Sequence, residues 1–274
     1  MRNDITQTLQ DLRYLEWSKV RKSSGTAGSF LKSREIIDGR NVYYKLSCYD
    51  SVNGITGSEC VYETVTDRLL DILNIEHLHY RLIHAVISLN GNEIETWLSA
   101  SDDFKLPGES KMAFEDYYEL KRNKGEDPIA FLEHCGWRDQ KDSMLLVDYL
   151  ILNRDRHGAN IEVIKRKNPS EVRLAPLFDH GVSLFCTCRG DEEIRSFDVM
   201  LDRPVQSFVG SRSAEENLSL ITPGFIDRIR PLEERDRQII LDGLENVVSG
   251  THSDRIWEMI WGRWKRFENI CDKG

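Results

Sequence analysis

The densest polar run in the chain is Asn153-Arg154-Asp155-Arg156-His157-Gly158-Ala159-Asn160. It follows a strongly apolar stretch, Met144 to Leu152, that only Asp148 interrupts. Two short strands are expected after it, at 160–165 and 171–176, separated by the turn Arg166 to Ser170. The second ends in Pro176-Leu177-Phe178-Asp179-His180-Gly181. Such a hairpin puts Asn160 near the start of one strand and Asp179 just past the end of its partner. Asp155, Asn160 and Asp179 are therefore expected to converge at one end of it. Phosphoryl transfer from ATP needs this donor set: one carboxylate to orient the attacking hydroxyl, and an amide and a second carboxylate to hold magnesium ions.

The same chemistry needs a cation for the α- and β-phosphates. Lys45 lies in a predicted strand, 41–47, on the face opposite Val42, Tyr44 and Leu46. A strand lysine held extended needs an acid, and the helix that follows offers Glu63, with Glu59 one turn away as the alternative. Asp-x4-Asn followed by Asp-x-Gly, together with a strand lysine and a helix glutamate, is the protein-kinase pattern. Upstream, Ser23-Ser24-Gly25-Thr26-Ala27-Gly28-Ser29 is a small-residue loop whose backbone N–H groups can approach phosphate oxygens; an ordinary flexible turn has the same composition. It is not a Walker A loop, because no Gly-Lys-Ser/Thr closes it. His157 is read as a residue that hydrogen-bonds and orients the catalytic loop, with metal ligation as the alternative. His180 is expected to be exposed and is given no role.

The elements that must position these groups fall into two parts. Residues 4–20 read as a helix or a partly ordered arm. A helix is expected at 58–73, with Val61, Val65, Leu69 and Ile72 on one face. Two β-rich runs, 79–89 and 93–99, flank Asn90-Gly91-Asn92, a hairpin signal. The composition changes near residue 100. Helices are expected at 111–122, 128–135, 140–152, 231–247 and 252–270; residues 186–230 give no clear pattern. In the last helix, Ile256, Ile260, Trp264 and Phe267 form a core-facing stripe. The expected architecture is α+β: a small lobe rich in antiparallel strands over residues 1–100, then a mainly helical lobe over 101–274 interrupted by the hairpin. Ligands favour clefts between such lobes.

Composition narrows the function classes. The chain has 274 residues and a formal charge of −9, from 37 basic and 46 acidic side chains. That balance disfavours nonspecific binding to nucleic acid, where lysine and arginine contacts to phosphate dominate, and there is no basic membrane-facing patch. No apolar run reaches the ~18 residues of a membrane span, and the amino terminus has no apolar signal region. The six cysteines lie at 48, 60, 135, 186, 188 and 271 with no C-x-x-C pair. They read as reduced thiols in a cytoplasmic protein. Cys186 and Cys188 are expected on a strand, with a metal site as the weaker alternative because no partner sits at zinc spacing. G-x-S-x-G, H-E-x-x-H and G-x-G-x-x-G are all absent from the sequence.

Three stretches carry a resemblance to the HipA-like serine/threonine kinases, and to their short, CtkA-like subgroup. They are residues 23–32 with Tyr43-Tyr44-Lys45-Leu46-Ser47 and Glu63; Asp148 to Asn160; and Leu174-Ala175-Pro176-Leu177-Phe178-Asp179. The resemblance spans roughly residues 18–185. It implies a bilobal protein-kinase-like fold, ATP and Mg2+ as cofactors, and an unidentified protein substrate. It implies Asp155 as catalytic base or hydroxyl-orienting residue, Asn160 and Asp179 as magnesium ligands, Lys45 on the ATP phosphates, and Glu63 as its anchor. Ser24, Gly25, Thr26 and Gly28 would cradle phosphate, and the backbone near Trp97, Leu98 and Ser99 would be the adenine hinge. Family members autophosphorylate a serine in the Gly/Ser loop; Ser23, Ser24 and Ser29 are the candidates. HipA itself carries an extra amino-terminal subdomain, and this chain begins just before the loop. An antitoxin-like partner is therefore an open question, as is a role as a secreted effector without a standard signal peptide. The Asp-Arg-His-x-x-Asn wording also resembles phosphoinositide kinases, which keeps a small-molecule or lipid kinase as the alternative, beside a nucleotide-binding pseudokinase module.

Overall fold

Alternation of β-branched and aromatic residues with polar ones builds the amino-terminal part. The computed structural model describes residues 4–18, 30–167 and 170–272. The strands β1 (Ile5–Asp11), β2 (Lys32–Ile37) and β3 (Arg40–Leu46) come first, then a small ribbon of β4 (Tyr49–Asp50) and β5 (Gly54–Ile55). Helix α1 (Glu59–Leu73) leads to the hairpin β6 (Tyr80–Leu89) and β7 (Asn92–Asp102). The five long strands form one sheet in the order β1-β6-β7-β3-β2, with β1 parallel to β6 and the other pairs antiparallel. Asn90 and Gly91 both have positive φ, at 54° and 82°, as a tight two-residue hairpin requires.

The strand β1 corrects the helix or arm expected over 4–20. Leu9, Leu12 and Leu15 are spaced by three, which imitates a helical period. In the fold, Leu9 points outward from an edge strand, and Leu12 and Leu15 turn under the sheet after it ends. Val42, Tyr44 and Leu46 join them in one core with Ala85, Ile87 and Leu98. Lys45 faces the other side, towards α1.

After the polar stretch 103–108 come β8 (Glu109–Ala113), α2 (Phe114–Lys121), α3 (Pro128–His134) and α4 (Arg138–Leu150). The helix expected from 111 thus starts later. Glu109 to Ala113 instead pairs antiparallel with β10 (Glu162–Arg166), which in turn pairs with β11 (Glu171–Leu174). The expected hairpin is therefore the greater part of a three-stranded sheet, and tertiary pairing overrides local helix preference at its edge. Between α4 and β10 lie the two-residue strand β9 (Asp155–Arg156) and a 3-10 turn, Gly158–Asn160.

The 186–230 region holds α5 (Gly190–Ser196), β12 (Gln206–Ser207), parallel to β9, and two 3-10 turns. Cys186 and Cys188 lie in and just after a turn rather than on a strand. All six cysteines are free, and burial pushes the Cys186 thiol up to about 11. The helix expected over 231–247 shrinks to α6 (Asp236–Leu241), because Arg230 folds back onto buried Asp236 at 2.9 Å and Gly243 takes positive φ. The last helix, α7 (Gly250–Cys271), buries Ile256, Ile260, Trp264 and Phe267 as its stripe predicts.

Helix α1 is the hinge of the architecture. Every residue in it except Asp71 is buried. It packs under the sheet and shares one core with α4, α5 and α7. The division expected near residue 100 falls inside β7, which runs on to Asp102. Among the described residues, no helix is long and apolar enough to cross a membrane.

Candidate active site

The strand β3 lies between β2 and β7, so the backbone at Lys45 is fixed on both sides, opposite Lys32 and Ser99. Its side chain is extended and only 8% exposed. The Nζ donates to Glu63 Oε1 at 2.9 Å and to Asp179 Oδ1 at 2.6 Å. Burial alone would push this ammonium down. The carboxylates of Asp179 and Glu63 outweigh it and hold the lysine well above its ordinary value. Glu63 is fully buried and its Oε2 accepts the His180 backbone N–H at 2.9 Å. The structure thus pairs Lys45 with Glu63, while Glu59 accepts from the Cys48 N–H instead.

Asp179 sits in the left-handed region, at φ 58°, which is uncommon for a residue other than glycine. Its N–H donates to the Tyr80 hydroxyl at 3.1 Å. Gly181, two residues on, passes so close to α1 that a Cβ there would lie 3.0 Å from Glu59 Cβ and 3.2 Å from Glu63 Oε1. The glycine of Asp-x-Gly thus sits where any side chain would press on α1. His180, expected to be exposed, is 1% exposed between these groups. Burial, reinforced by Arg156 and His77, pushes its imidazole well below the ordinary value, so the ring is neutral. Polar neighbours in sequence suggest exposure, but the close approach of Gly181 to α1 and the bond from the His180 N–H to Glu63 draw His180 inward.

Around Asp155 the loop is braced by residues that sequence reasoning did not single out. Asp148, on the last turn of α4, accepts from Arg156 Nε at 3.0 Å and Nη2 at 2.9 Å. Arg156 is 1% exposed, and its Nη1 donates to the Asn160 and Phe178 carbonyls, each at 3.0 Å. One guanidinium thereby ties the loop carrying Asp155 and Asn160 to the segment carrying Asp179. Asn153 links Asp148 to Asp155, donating to the first at 2.8 Å and accepting the N–H of the second at 3.1 Å. The available signal was Asp148 itself, one charge inside an apolar run, with an arginine eight residues on.

Asn160 Nδ2 donates to the Asp155 carbonyl at 2.6 Å and lies 3.4 Å from its Oδ2. His157 Nδ1 accepts the Ala159 N–H at 3.1 Å, which puts the proton of a neutral ring on Nε2, 3.5 Å from Asp155 Oδ1.

A cleft of about 1040 Å3 opens between the sheet and the helical part. Lys45, Ser99, Phe104, Asn160, Phe178 and Asp179 are among the residues that line it. Asp179 and Asn160 supply oxygen donors of the hard type that magnesium takes, and Lys45 adds a fixed cation. Ser24, Gly25, Thr26 and Gly28, with Ser23 and Ser29, lie outside the described residues. Ser18 and Lys32, which flank that stretch, pair through their backbones at 2.9–3.0 Å and both line the cleft.

The expected hinge needs correction. The backbones of Leu98 and Ser99 are paired with β3 on one side and β6 on the other, and Trp97 pairs with His84 on β6. Trp97 stacks on His84, and neither it nor Leu98 lines the cleft. Leu98 and Ser99, with strand partners on both sides, have little backbone to offer a ligand. Only Ser99 of the three reaches the cleft wall, which continues through Ser101 to Phe104.

No protein-family model and no curated protein sequence matches the chain. Among solved structures, the Helicobacter pylori proinflammatory kinase CtkA superposes with a TM-score of 0.65 at 15% identity, covering 97% of each chain. The HipA of a Shewanella oneidensis MR-1 toxin–antitoxin complex with HipB and operator DNA gives 0.45 at 15% identity, over 93% of this chain and 68% of that one. The chain therefore has the mixed α/β fold of the CtkA kinase along nearly its whole length.

Proposed function

We propose that the protein is an ATP- and magnesium-dependent serine/threonine protein kinase of the HipA-like type, able to phosphorylate itself. The observation that carries this reading is the buried contact of Lys45 with both Glu63 and Asp179 on the wall of a cleft that Asn160 also lines. In this reading Lys45, held by Glu63, binds the α- and β-phosphates, and Asn160 and Asp179 hold magnesium. The metal, when bound, neutralises charge on the phosphate oxygens. Asp155 orients the attacking hydroxyl and accepts its proton, and His157 keeps the Asp155 loop in place. The aromatic faces of Phe104 and Phe178, 5.6 Å apart, and the backbone beyond Asp102 receive the adenine. Six free cysteines suit the cytoplasm as its location.

The test is intact mass after incubation with Mg-ATP, for the wild type beside Asp155→Asn. The expected result is a gain of one phosphate in the wild type alone, mapping to Ser23, Ser24 or Ser29. A gain of AMP would replace the reaction class. No transfer to self or to a peptide library, together with no rise in melting temperature on adding ATP, would remove the kinase reading.

A further inference from the structure

At the far end of α1 from Lys45, four side chains outside the cleft's chemistry converge. Asp67 and Asp71 stand one turn apart on α1, and His77 and His79 on the segment that leads into β6. One ligand atom from each lies within 4.8 Å of all the others. His77 Nε2 is 3.2 Å from Asp67 Oδ1 and 3.7 Å from Asp71 Oδ1. His79 Nδ1 is 3.1 Å and 4.0 Å from the same two oxygens. Zinc bonds of about 2.0–2.2 Å in a tetrahedron set ligand-to-ligand edges of roughly 3.3–3.6 Å. The observed separations bracket that value.

The surroundings favour a cation there. His77 Nδ1 lies 2.7 Å from the Ile75 carbonyl, which can only accept. Nδ1 therefore donates to that carbonyl, which leaves Nε2 as the ring atom turned to Asp67 and Asp71. A backbone partner on the outer ring nitrogen is the usual way a metal-binding histidine is oriented. Asp67 is fixed in turn by the Tyr80 N–H at 3.0 Å. Both aspartates sit towards the carboxy-terminal end of α1, where the helix dipole is negative and no basic residue occupies the last turn. His79 is largely exposed, so an ion can reach the site from solvent.

We propose that Asp67, Asp71, His77 and His79 bind one divalent transition-metal ion of the zinc class, which staples the end of α1 to the segment before β6. The two His and two carboxylate donors fill all four positions, so the site is structural rather than hydrolytic. The stapled pieces both serve the cleft. Glu63 is one turn before Asp67 on α1, the Tyr80 hydroxyl holds the Asp179 N–H, and Leu78 N–H donates to the Leu177 carbonyl at 2.8 Å. Only the consequence for phosphoryl transfer rests on the kinase reading; metal binding does not.

The experiment is zinc titration of the chelator-treated full chain, with Co2+ as an optical probe of tetrahedral geometry. The wild type should take up one zinc per chain and show a higher melting temperature with it. His79→Ala and Asp71→Asn change the two more exposed ligands and should fold as the wild type does without zinc. Each should weaken zinc binding by about 100-fold or more, beyond the ~10–100-fold typical of outer-shell changes, and lose the tetrahedral Co2+ spectrum. Asp179→Asn should keep the zinc. A wild type that binds no zinc, or zinc retained by both ligand variants, would overturn the site and leave a hydrogen-bonded His–Asp cluster. Failure of phosphoryl transfer in a chain that binds zinc as described would count against the kinase reading alone.

Discussion

Lys45 and Asp179, 134 positions apart in the chain, meet at 2.6 Å. One comes from a central strand of the sheet and the other from the left-handed turn after β11. The same ammonium reaches Glu63 on α1, so three elements meet at one buried charge.

Lys45→Met removes that charge and leaves Glu63 buried without its cation. Breaking a buried pair from one side typically costs about 3–5 kcal/mol. The variant should show a lowered denaturation midpoint and no phosphoryl transfer. Adding Glu63→Gln should recover part of the stability and none of the activity. Full stability in the single variant would mean the contact contributes nothing to the fold.

Arg156 supplies a second such pair, with Asp148, and in addition holds two carbonyls. Arg156→Lys keeps the charge but loses the planar fork that reaches Asp148 and both carbonyls together. Turnover should fall by at least ~10-fold with overall structure retained, because Asn160 and Asp179 lose their common brace. A variant as active as the wild type would show that the brace is dispensable.

Gly181→Ala places a methyl group 3.0 Å from Glu59 Cβ and 3.2 Å from the Glu59 carbonyl. The neighbouring atoms of α1 or of the Asp179 segment must give by a few tenths of an ångström. Overpacking of this kind costs about 1–3 kcal/mol, which thermal melting can read. Loss of activity should exceed what that loss of stability explains at assay temperature.

Acid should destabilise the fold through its buried histidines. Burial lowers His252 from 6.5 to about 4, with the Tyr62 hydroxyl 2.9 Å from its Nε2. His180 is lowered in the same direction. The folded chain keeps these rings neutral while the unfolded chain protonates them near 6.5. The stability they confer is complete above about pH 6.5 and is lost progressively as pH falls towards 4. Denaturant midpoints at pH 7 and pH 4.5 should differ, and His252→Gln should shrink the difference. An unchanged slope in that variant would remove His252 from the account.

The parts of this site legible in the sequence were those set by local period. Alternation put Lys45 opposite Val42, Tyr44 and Leu46, helical spacing put Glu59 and Glu63 on one face of α1 without choosing between them, and Asn-Gly closed the β6–β7 hairpin. What needed the fold was pairing between distant segments. β1 and β8 become strands through partners at β6 and β10, which their own residues do not announce. The hinge that the resemblance implied at Trp97, Leu98 and Ser99 lies within β7, whose central place in the sheet comes from its pairing with β3. His180 reads as exposed until Gly181 is pressed against α1. The four residues of the candidate metal site straddle the end of a helix and the following turn, and their spacing fits no standard zinc pattern.

Since all of α1 but Asp71 is buried between the sheet and the helical part, it has little freedom to travel. Swinging it outward would expose Val61, Val65, Leu69, Leu70 and Leu73 at about 1.5–3 kcal/mol each. The sum approaches the whole stability of an ordinary domain, about 5–15 kcal/mol. Glu63 is thus a fixed post. Any control over the Lys45 ammonium must come from the open side of the cleft, by something that competes for the cation or covers it, and not by withdrawal of the helix behind it.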